Sequence, residues 1–316
     1  MPEIGYHLSS EEHRPRDLVR YAVAAEQHGF RFAVVSDHFH PWAEAQGQSP
    51  FVWSVIGGIA QATERLRLGT GVTCPIKRMH PAIVAQAAAT AADMMPGRFF
   101  LGVGTGENLN EHILGDTWPP VGVRREMLDE AVGLIRDLWT GTAVTHDGRH
   151  FTVHTARLFT RPDALPPIVV AASGTEAAEL AGRIGDGLIS TAPDPDVVGA
   201  YQGSGGSGPR YGMLHVCWAP DEAQAVKTAH RIWFNAAIPG ELGQELPLPE
   251  HFEQATKNVR PEDVAERVAC GPDSERHIAA LAEYAEAGFD HIWVHQIGPD
   301  QDGFFRFYAD EVLPKF

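Results

Sequence analysis

The sequence predicts an α/β protein, a single (β/α)₈ TIM barrel over residues 1–316 with insertion segments at about 142–158 and 236–271. Two observations predict this class. Short apolar segments alternate with amphipathic helical patterns almost from end to end, and no linker divides the chain into halves of different composition. Strands separated by helices form parallel sheets, and eight of them favour a barrel. A doubly wound sheet of six or seven strands is the structural alternative.

The elements follow from local patterns. The predicted strands are Ile4–His7, Phe32–Asp37, Leu66–Val72, Phe99–Gly104, Ile168–Ala172, Gly187–Thr191, Gly212–Trp218 and His291–Gln296. The first predicted helix, Asp17–His28, carries Leu18, Ala22 and Ala25 on one face and ends at Gly29, a typical C-cap residue. Similar helical patterns cover Pro81–Asp93, Val123–Trp139, Glu176–Ile184, Ala223–Phe234 and Glu275–Ala287.

Three segments interrupt the alternation. The first insertion contains a hairpin-like turn at His146–Arg149, and the second is rich in Pro and Glu. The Gly/Ser run Gly203–Gly208 falls inside the alternation, so we predict a loop there rather than a domain linker.

Composition excludes several classes of protein. Lys+Arg 25 against Asp+Glu 41 gives a net charge of −16, which argues against a nucleic-acid binder. Cys74, Cys217 and Cys270 are widely spaced, without a CxxC motif, which is unlike a disulfide framework or a zinc ribbon and fits a reducing compartment. Because neither a signal peptide nor an apolar run of about 18 residues is visible, we expect a cytoplasmic protein without membrane contact.

Chemistry in a barrel is carried at the C-terminal ends of the strands. His38 follows the second strand and has the side chain suited to a general base; the alternative is a loop histidine bonded to its neighbours. His38 and His40 lack a recognisable third metal ligand, so no metal is predicted. Glu107 follows the fourth strand after three glycines, where it could hold a proton or cap the next helix.

Glycines at two strand ends suggest binding sites. The spacing Gly102-x-Gly104-x-Gly106 is one residue short of the dinucleotide fingerprint, which argues against Rossmann binding. Ser173 and Gly174 open a helix whose free amides could hold a phosphate, or they form an ordinary turn.

Together these strand ends resemble the luciferase-like family of flavin and deazaflavin enzymes, in particular its coenzyme F420-dependent dehydrogenases. The matching pieces are Ser36-Asp37-His38-Phe39-His40-Pro41-Trp42, Thr73–Ile76 with Pro81–Gln86, Gly102–Asn110 and Ala181–Gly187. The resemblance covers nearly the whole chain and weakens at 203–208 and 236–271.

The resemblance implies a cofactor, a site and a partner. Coenzyme F420 is the implied cofactor, with a cis peptide at Gly71–Val72 in a bulge that backs the deazaflavin ring. His38 and Glu107 are the implied catalytic pair, with Trp42 beside the ring, and a homodimer is expected. The implied cofactor-binding residues are Asp37, Gly71, Val72, Cys74, Thr105, Gly106, Asn110, Ser173 and Gly174, and the substrate-binding residues are Thr191 and Arg267.

Hydride transfer explains why such a pair is needed. An alcohol releases a hydride readily only when its hydroxyl proton has an acceptor, and His38 fits that role. Hydride arriving at carbon 5 pushes negative charge toward nitrogen 1, where Glu107 fits as the acid. The function predicted is hydride transfer between a hydroxylated small-molecule substrate and F420. The alternatives are a reductase that uses the reduced cofactor, an FMN-dependent monooxygenase, and a non-catalytic cofactor-binding barrel.

Departures from the family concern the substrate. Sugar-phosphate members carry a lysine where Asp194 stands, and their lysine–histidine pair aligns near Gly243-Gln244. Lys257 or Arg260 are possible substitutes, and Arg267 is kept. Since a carboxylate repels phosphate, the sequence predicts that glucose 6-phosphate is a poor substrate. It favours an uncharged secondary alcohol or a bulkier hydroxylated metabolite.

Overall fold

A computed structural model describes residues 1–238 and 240–316. Its strands are β1 (Glu3–Leu8), β2 (Phe32–Val35), β3 (Arg67–Thr70), β4 (Phe99–Val103), β5 (Val144–Asp147), β6 (Thr152–Ala156), β7 (Ile168–Ala171), β8 (Gly187–Ser190), β9 (Arg210–Cys217), β10 (Ala269–Cys270) and β11 (His291–Gln296). Eight of these pair in parallel in the order β1-β2-β3-β4-β7-β8-β9-β11, and β11 pairs back to β1. The sheet therefore closes into the predicted barrel, which excludes the doubly wound alternative.

Helices lie between the strands and in the insertions. They are α1 (Pro15–Gln27), α2 (Val52–Ala62), α3 (Pro81–Met94), α4 (Asn108–Glu111), α5 (Val121–Trp139), α6 (Thr175–Ile184), α7 (Pro195–Gly203), α8 (Glu222–Trp233), α9 (Leu242–Glu245), α10 (Pro249–Ala255), α11 (Pro261–Ala265), α12 (Ser274–Glu286) and α13 (Gln301–Phe307). Within the part of the chain that the structure describes, none of them is long and apolar enough to cross a membrane.

All eight predicted strands are present, with ends that shift by at most two residues. The predicted strand Leu66–Val72 shortens to β3. Regular pairing is interrupted at Gly71 and Val72, which are joined by a cis peptide, and Thr73 then forms an isolated parallel bridge with Val103. Helices α2, α7 and α13 were not among the predicted helices. The pattern in α2 is interrupted by Gly57 and Gly58, and the other two are only nine and seven residues long.

The two insertions have different structures. The first forms the antiparallel hairpin β5–β6, held to α5 because Glu130 accepts hydrogen bonds from the amides of His150 (3.0 Å) and Phe151 (2.9 Å). The second folds into α9, α10, α11 and β10, and β10 pairs with the outer edge of the β9 C-terminus.

Side chains fill the barrel interior in layers. The lower aromatic layer, as we call it, consists of Phe32, Phe100, Tyr211 and Trp293, which pack in one buried cluster. A Cβ at Gly69 would lie 2.0 Å from the Phe100 ring, so only glycine leaves room for that ring. Nearer the C-terminal ends of β1, β9 and β11 stand His7, His215 and His295, which we call the upper histidine layer.

Candidate active site

His38 lies just beyond the C-terminal end of β2, with a side chain that is 10% exposed. Its ring centroid is 5.0 Å from that of Trp42, which also packs edge-on against Phe252 at 5.3 Å. The Nδ1 atom lies 3.2 Å from the carbonyl oxygen of His40, which can only accept a hydrogen bond. Nδ1 therefore carries the proton, and the Nε2 atom is the basic one.

A buried carboxylate lies beside that basic nitrogen. Oε1 of Glu11 is 3.4 Å from Nε2 of His38, and Oε2 accepts hydrogen bonds from the hydroxyls of Ser36 (2.7 Å) and Ser9 (3.1 Å). Burial acts to raise the pKa of Glu11, but the charges of His38 and His7 and the Ser36 hydroxyl lower it below its usual value. Glu11 therefore places a buried carboxylate beside Nε2 of His38. The polar run Ser9–Glu12 after β1 was the available sequence signal, and it was missed.

Glu107 comes from the loop after β4 and is joined to the His38 loop by Asn110. The Asn110 amide oxygen accepts hydrogen bonds from the backbone amides of Phe39 (2.8 Å) and His40 (3.1 Å). Its Nδ2 atom lies 3.4 Å from Oε2 of Glu107. Although Glu107 occupies the N-cap position of α4, among the described residues its carboxylate makes no capping hydrogen bond. The helix-capping interpretation is therefore wrong, and Asn110 fixes the two loops relative to each other.

A buried ion network supports these loops. The Arg78 guanidinium donates to Oδ1 of Asp37 at 2.9 Å and lies 3.5 Å from Oε1 of Glu111, while Thr73 donates to Oδ2 of Asp37 at 2.8 Å. Burial raises the pKa of Glu111 to about 6. The side chain of Asp37, one of the predicted cofactor-binding residues, is thus engaged within the protein. Arg78 and Glu111 were missed, because nothing in their local sequence shows that they meet.

The bulge after β3 has the backbone that the resemblance implied, with a cis peptide at Gly71–Val72. Gly106 has φ +72°, and a Cβ there would lie 2.5 Å from Sγ of Cys74, so the turn before Glu107 requires glycine. Cys74 is only 3% exposed beneath this turn, whereas Thr105 is half-buried.

The N-terminus of α6 is open to solvent. Ser173, Gly174 and Thr175 are exposed, and a Cβ at Gly174 would meet no atom within 4 Å. The first amides of an α-helix have no partner within the helix, and they carry a partial positive charge. This end of α6 can accept an anionic group such as a phosphate.

The predicted substrate residues stand apart from the His38–Glu107 unit. Thr191 and Arg267 are exposed, and within residues 1–238 and 240–316 no hydrogen bond or ion pair of their side chains reaches that unit. Asp194 caps α7, where its Oδ1 accepts from the amide of Asp196 at 2.9 Å. Its carboxylate therefore has a local structural role.

The segment predicted to align with the family's basic pair is held by a buried arginine. Arg124, 1% exposed, donates to Oε1 of Gln244 at 3.0 Å and to Oε1 of Glu245 at 3.1 Å. The guanidinium also stacks on Trp118, with its carbon 4.4 Å from the ring centroid. Two side-chain oxygens of this segment thus hold α9 to α5.

The chain is similar over its length to known proteins. The family model for luciferase-like monooxygenases matches residues 1–291. An F420-dependent glucose-6-phosphate dehydrogenase of Beutenbergia cavernae is 38% identical and aligns with 100% of this chain and 97% of its own; that of Mycobacterium tuberculosis is 34% identical over 99% and 97%.

A solved structure of an F420-dependent secondary alcohol dehydrogenase, in complex with an F420-acetone adduct, superposes with a TM-score of 0.91. It is 32% identical to this chain, and the alignment covers 98% of both chains. The chain belongs to the luciferase-like monooxygenase family.

Proposed function

We propose that this protein is a coenzyme F420-dependent oxidoreductase that moves a hydride between a hydroxylated substrate and carbon 5 of the deazaflavin. The observation that carries the proposal is the His38–Glu107 unit, in which Asn110 joins a base and an acid from two neighbouring strand ends. The relatives named as F420-dependent dehydrogenases align with the full length of the chain, so these loops lie inside the aligned region.

The residues present fit such a cofactor. The open N-terminus of α6 at Gly174 suits the cofactor's phosphate, and the bulge at Gly71–Val72 offers a backbone surface to a planar ring. Thr105 and Gly106, which are half-buried in the loop after β4, and Asp37, which follows β2, are the residues that we propose to line the same site. When bound, the deazaflavin accepts or supplies a hydride at its carbon 5.

The protein's own part in the reaction is proton handling and positioning. His38 takes the hydroxyl proton of an alcohol on Nε2, and the charge of Glu11 beside it stabilises the resulting imidazolium. Glu107 holds a proton for the opposite face of the reaction. Trp42 and Phe252 form an apolar wall that keeps water from His38.

A titration tests the cofactor assignment. Adding F420 and, separately, FMN to the purified protein and following fluorescence quenching should show micromolar or tighter binding of F420 and far weaker binding of FMN. Ser173→Asp, which places a negative charge at the α6 N-terminus, should weaken F420 binding, whereas the same change at the remote exposed Thr152 should not. Equal or tighter binding of FMN would favour the monooxygenase instead.

For the substrate, we propose an uncharged secondary alcohol in preference to a sugar phosphate. Asp194 stands where the sugar-phosphate members carry lysine, and the segment around Gln244 is held by Arg124 rather than offering a basic pair. Sugar-phosphate oxidation is the second candidate, supported by the names of relatives such as the 38% identical one.

A substrate screen separates the two candidates. Loss of oxidised-F420 absorbance with secondary alcohols, and little with glucose 6-phosphate, is the expected result. Saturable turnover of glucose 6-phosphate would show that Lys257, Arg260 and Arg267 form a substitute phosphate site. Supplying reduced F420 with ketones measures the reverse direction, and no turnover with any substrate in either direction would favour a non-catalytic barrel.

We also infer a cytoplasmic homodimer. The support is the family resemblance. Light scattering after size-exclusion chromatography should give twice the 34.4 kDa mass of the chain, and a single-chain mass would contradict the dimer.

A further inference from the structure

The upper histidine layer forms a buried group of ionisable side chains directly below His38. His7 and His295 have ring centroids 4.7 Å apart, and Nδ1 of His215 lies 3.0 Å from Nδ1 of His295. The side chain of Glu12 is 5% exposed, and its Oε1 lies 2.8 Å from Nε2 of His295. Neither Glu12 nor these histidines has a role in the reaction described above.

A continuous series of polar contacts links this layer to His38. The Ser9 hydroxyl lies between two carboxylates, 3.1 Å from Oε2 of Glu11 and 3.2 Å from Oε1 of Glu12. Since Oε1 of Glu11 is 3.4 Å from His38, the path runs His38–Glu11–Ser9–Glu12 and continues through His295 to His215. Every step is 3.4 Å or shorter.

The contact between the two histidines restricts the protons to two arrangements. One of the two Nδ1 atoms must donate and the other accept. If Glu12 is ionised, His295 donates to it from Nε2, and His215 donates to Nδ1 of His295. If Glu12 is protonated, it donates to Nε2, and His295 donates to His215. The path can therefore hold one additional proton, on Glu12, without any movement of its non-hydrogen atoms.

We propose that Glu12, His295 and His215 are a proton relay for the active site, in which Glu12 accepts the proton that His38 takes from the substrate hydroxyl. This rests on the proposed function. In alcohol oxidation the O–H bond breaks toward His38, and the hydride leaves the carbinol carbon for the cofactor. The proton then passes through Glu11 and the Ser9 hydroxyl to Glu12. At the far end of the path, His215 is half-buried, and we propose that the proton can also leave the protein there. In ketone reduction the proton moves the opposite way.

The ionisation of Glu12 suits this role. Burial raises its pKa to about 7, against the opposing effects of His13, of the Gly298 amide at 3.1 Å and of Ser9. The titratable groups that face it are Glu11 and His13 in its own loop, Tyr6 on β1, Cys217 on β9 and His295 on β11. Above pH 7 Glu12 is ionised and able to accept, so oxidation is favoured there.

Infrared spectroscopy of the cofactor-free protein tests the relay without any turnover. A protonated-carboxyl band that disappears as the pH is raised through about 7 should be missing in Glu12→Gln, whereas the band of Glu111, whose pKa is about 6, should remain. His295→Gln should shift the band, because it replaces the contact partner of Glu12. Glu130→Gln is the matched control, since Glu130 also bonds a histidine and backbone amides but lies at the β5–β6 hairpin. A band that disappears at about pH 7 and is unchanged in Glu12→Gln would overturn the proposal.

Kinetics supply the second arm. Glu12→Gln and His295→Gln should each lower kcat for alcohol oxidation at pH 8 by about 10-fold, less than loss of the base itself, with little change in KM. The solvent deuterium isotope effect on kcat should rise. The control His277→Gln, a buried histidine on α12 bonded to Tyr308, should leave both values unchanged.

The two arms separate the relay from the proposed function. If the wild-type protein turns over no substrate with F420, the proposed function fails, and the infrared result still decides whether Glu12 exchanges a proton near neutral pH. If turnover is normal in Glu12→Gln, with an unchanged isotope effect, the relay is wrong although the dehydrogenase stands. A merely structural role would lower the melting temperature without changing the isotope effect per folded molecule, and that result also contradicts the relay.

Discussion

The two interior layers of the barrel differ in chemistry although two strands, β9 and β11, contribute to both. On β9 the lower layer has Tyr211 and the upper layer has His215, four residues later; on β11 they have Trp293 and His295, two residues apart. Because side chains alternate along a strand, a step of two residues keeps the same face. The backbone thus provides equivalent positions, and the side chain chosen at each level decides whether the position supports packing or holds protons.

Removing a ring from the lower layer should have the largest effect on stability. Trp293 is fully buried against Tyr211, so Trp293→Ala should lower the free energy of unfolding by about 3–5 kcal/mol. Denaturant unfolding measures it. Phe159→Ala, at a ring that is 83% exposed, is the control and should change stability by less than about 0.5 kcal/mol. A loss below 1 kcal/mol for Trp293→Ala would show that the lower layer is not a packed core.

The upper layer should appear in the pH dependence of stability. Burial lowers the pKa values of His215 and His295 to about 3. The unfolded chain then binds more protons below pH 6.5, so stability falls with acidification. Between pH 7 and pH 5 the loss should be about 2 kcal/mol for each histidine.

Glu12 acts in the opposite direction. Its pKa is raised to about 7 in the folded state, so on acidification the folded chain binds this proton before the unfolded chain does. Between pH 7 and pH 5 this adds about 2 kcal/mol to the free energy of unfolding and offsets part of the loss caused by the histidines. Replacing His295 by Gln should therefore reduce the loss of unfolding free energy between pH 7 and pH 5 by about 2 kcal/mol. Trp293→Phe should leave the dependence of the unfolding free energy on pH unchanged. An identical slope in His295→Gln would contradict the buried, uncharged state of this layer.

The smallest effect concerns a carboxylate at the mouth that has no part in the chemistry. Asp194→Ala removes the cap of α7 and should lower stability by about 1 kcal/mol. Asp273→Ala, which removes the equivalent cap of α12, should have a similar effect. Because Asp194 is occupied as a cap, the change should not enable glucose 6-phosphate oxidation. Gain of that activity would mean that its charge does exclude phosphate.

The features that the sequence predicted correctly are those whose signals lie in residues adjacent along the chain. The eight barrel strands, the hairpin after His146 and the glycine turn before Glu107 all have local signals, and each is present. The family resemblance is also confirmed. The roles of the site residues remain predictions.

Contacts between distant residues could not be predicted. Glu11 reaches His38 from the preceding strand's loop, and Arg78 reaches Glu111 across 33 positions. The capping role of Asp194 has a local signal in the following Pro195, but it was overlooked in favour of a comparison of charges.

In the proposed mechanism, His38 and Glu107 carry out proton transfer for a hydride reaction. Single-turnover rates of F420 reduction by a secondary alcohol, measured on folded protein, test it most directly. His38→Ala should slow the rate by about 10²-fold or more with little change in F420 affinity. Glu107→Gln should also slow it, and it should alter cofactor affinity too. Near-normal rates in both variants would contradict proton transfer by His38 and Glu107.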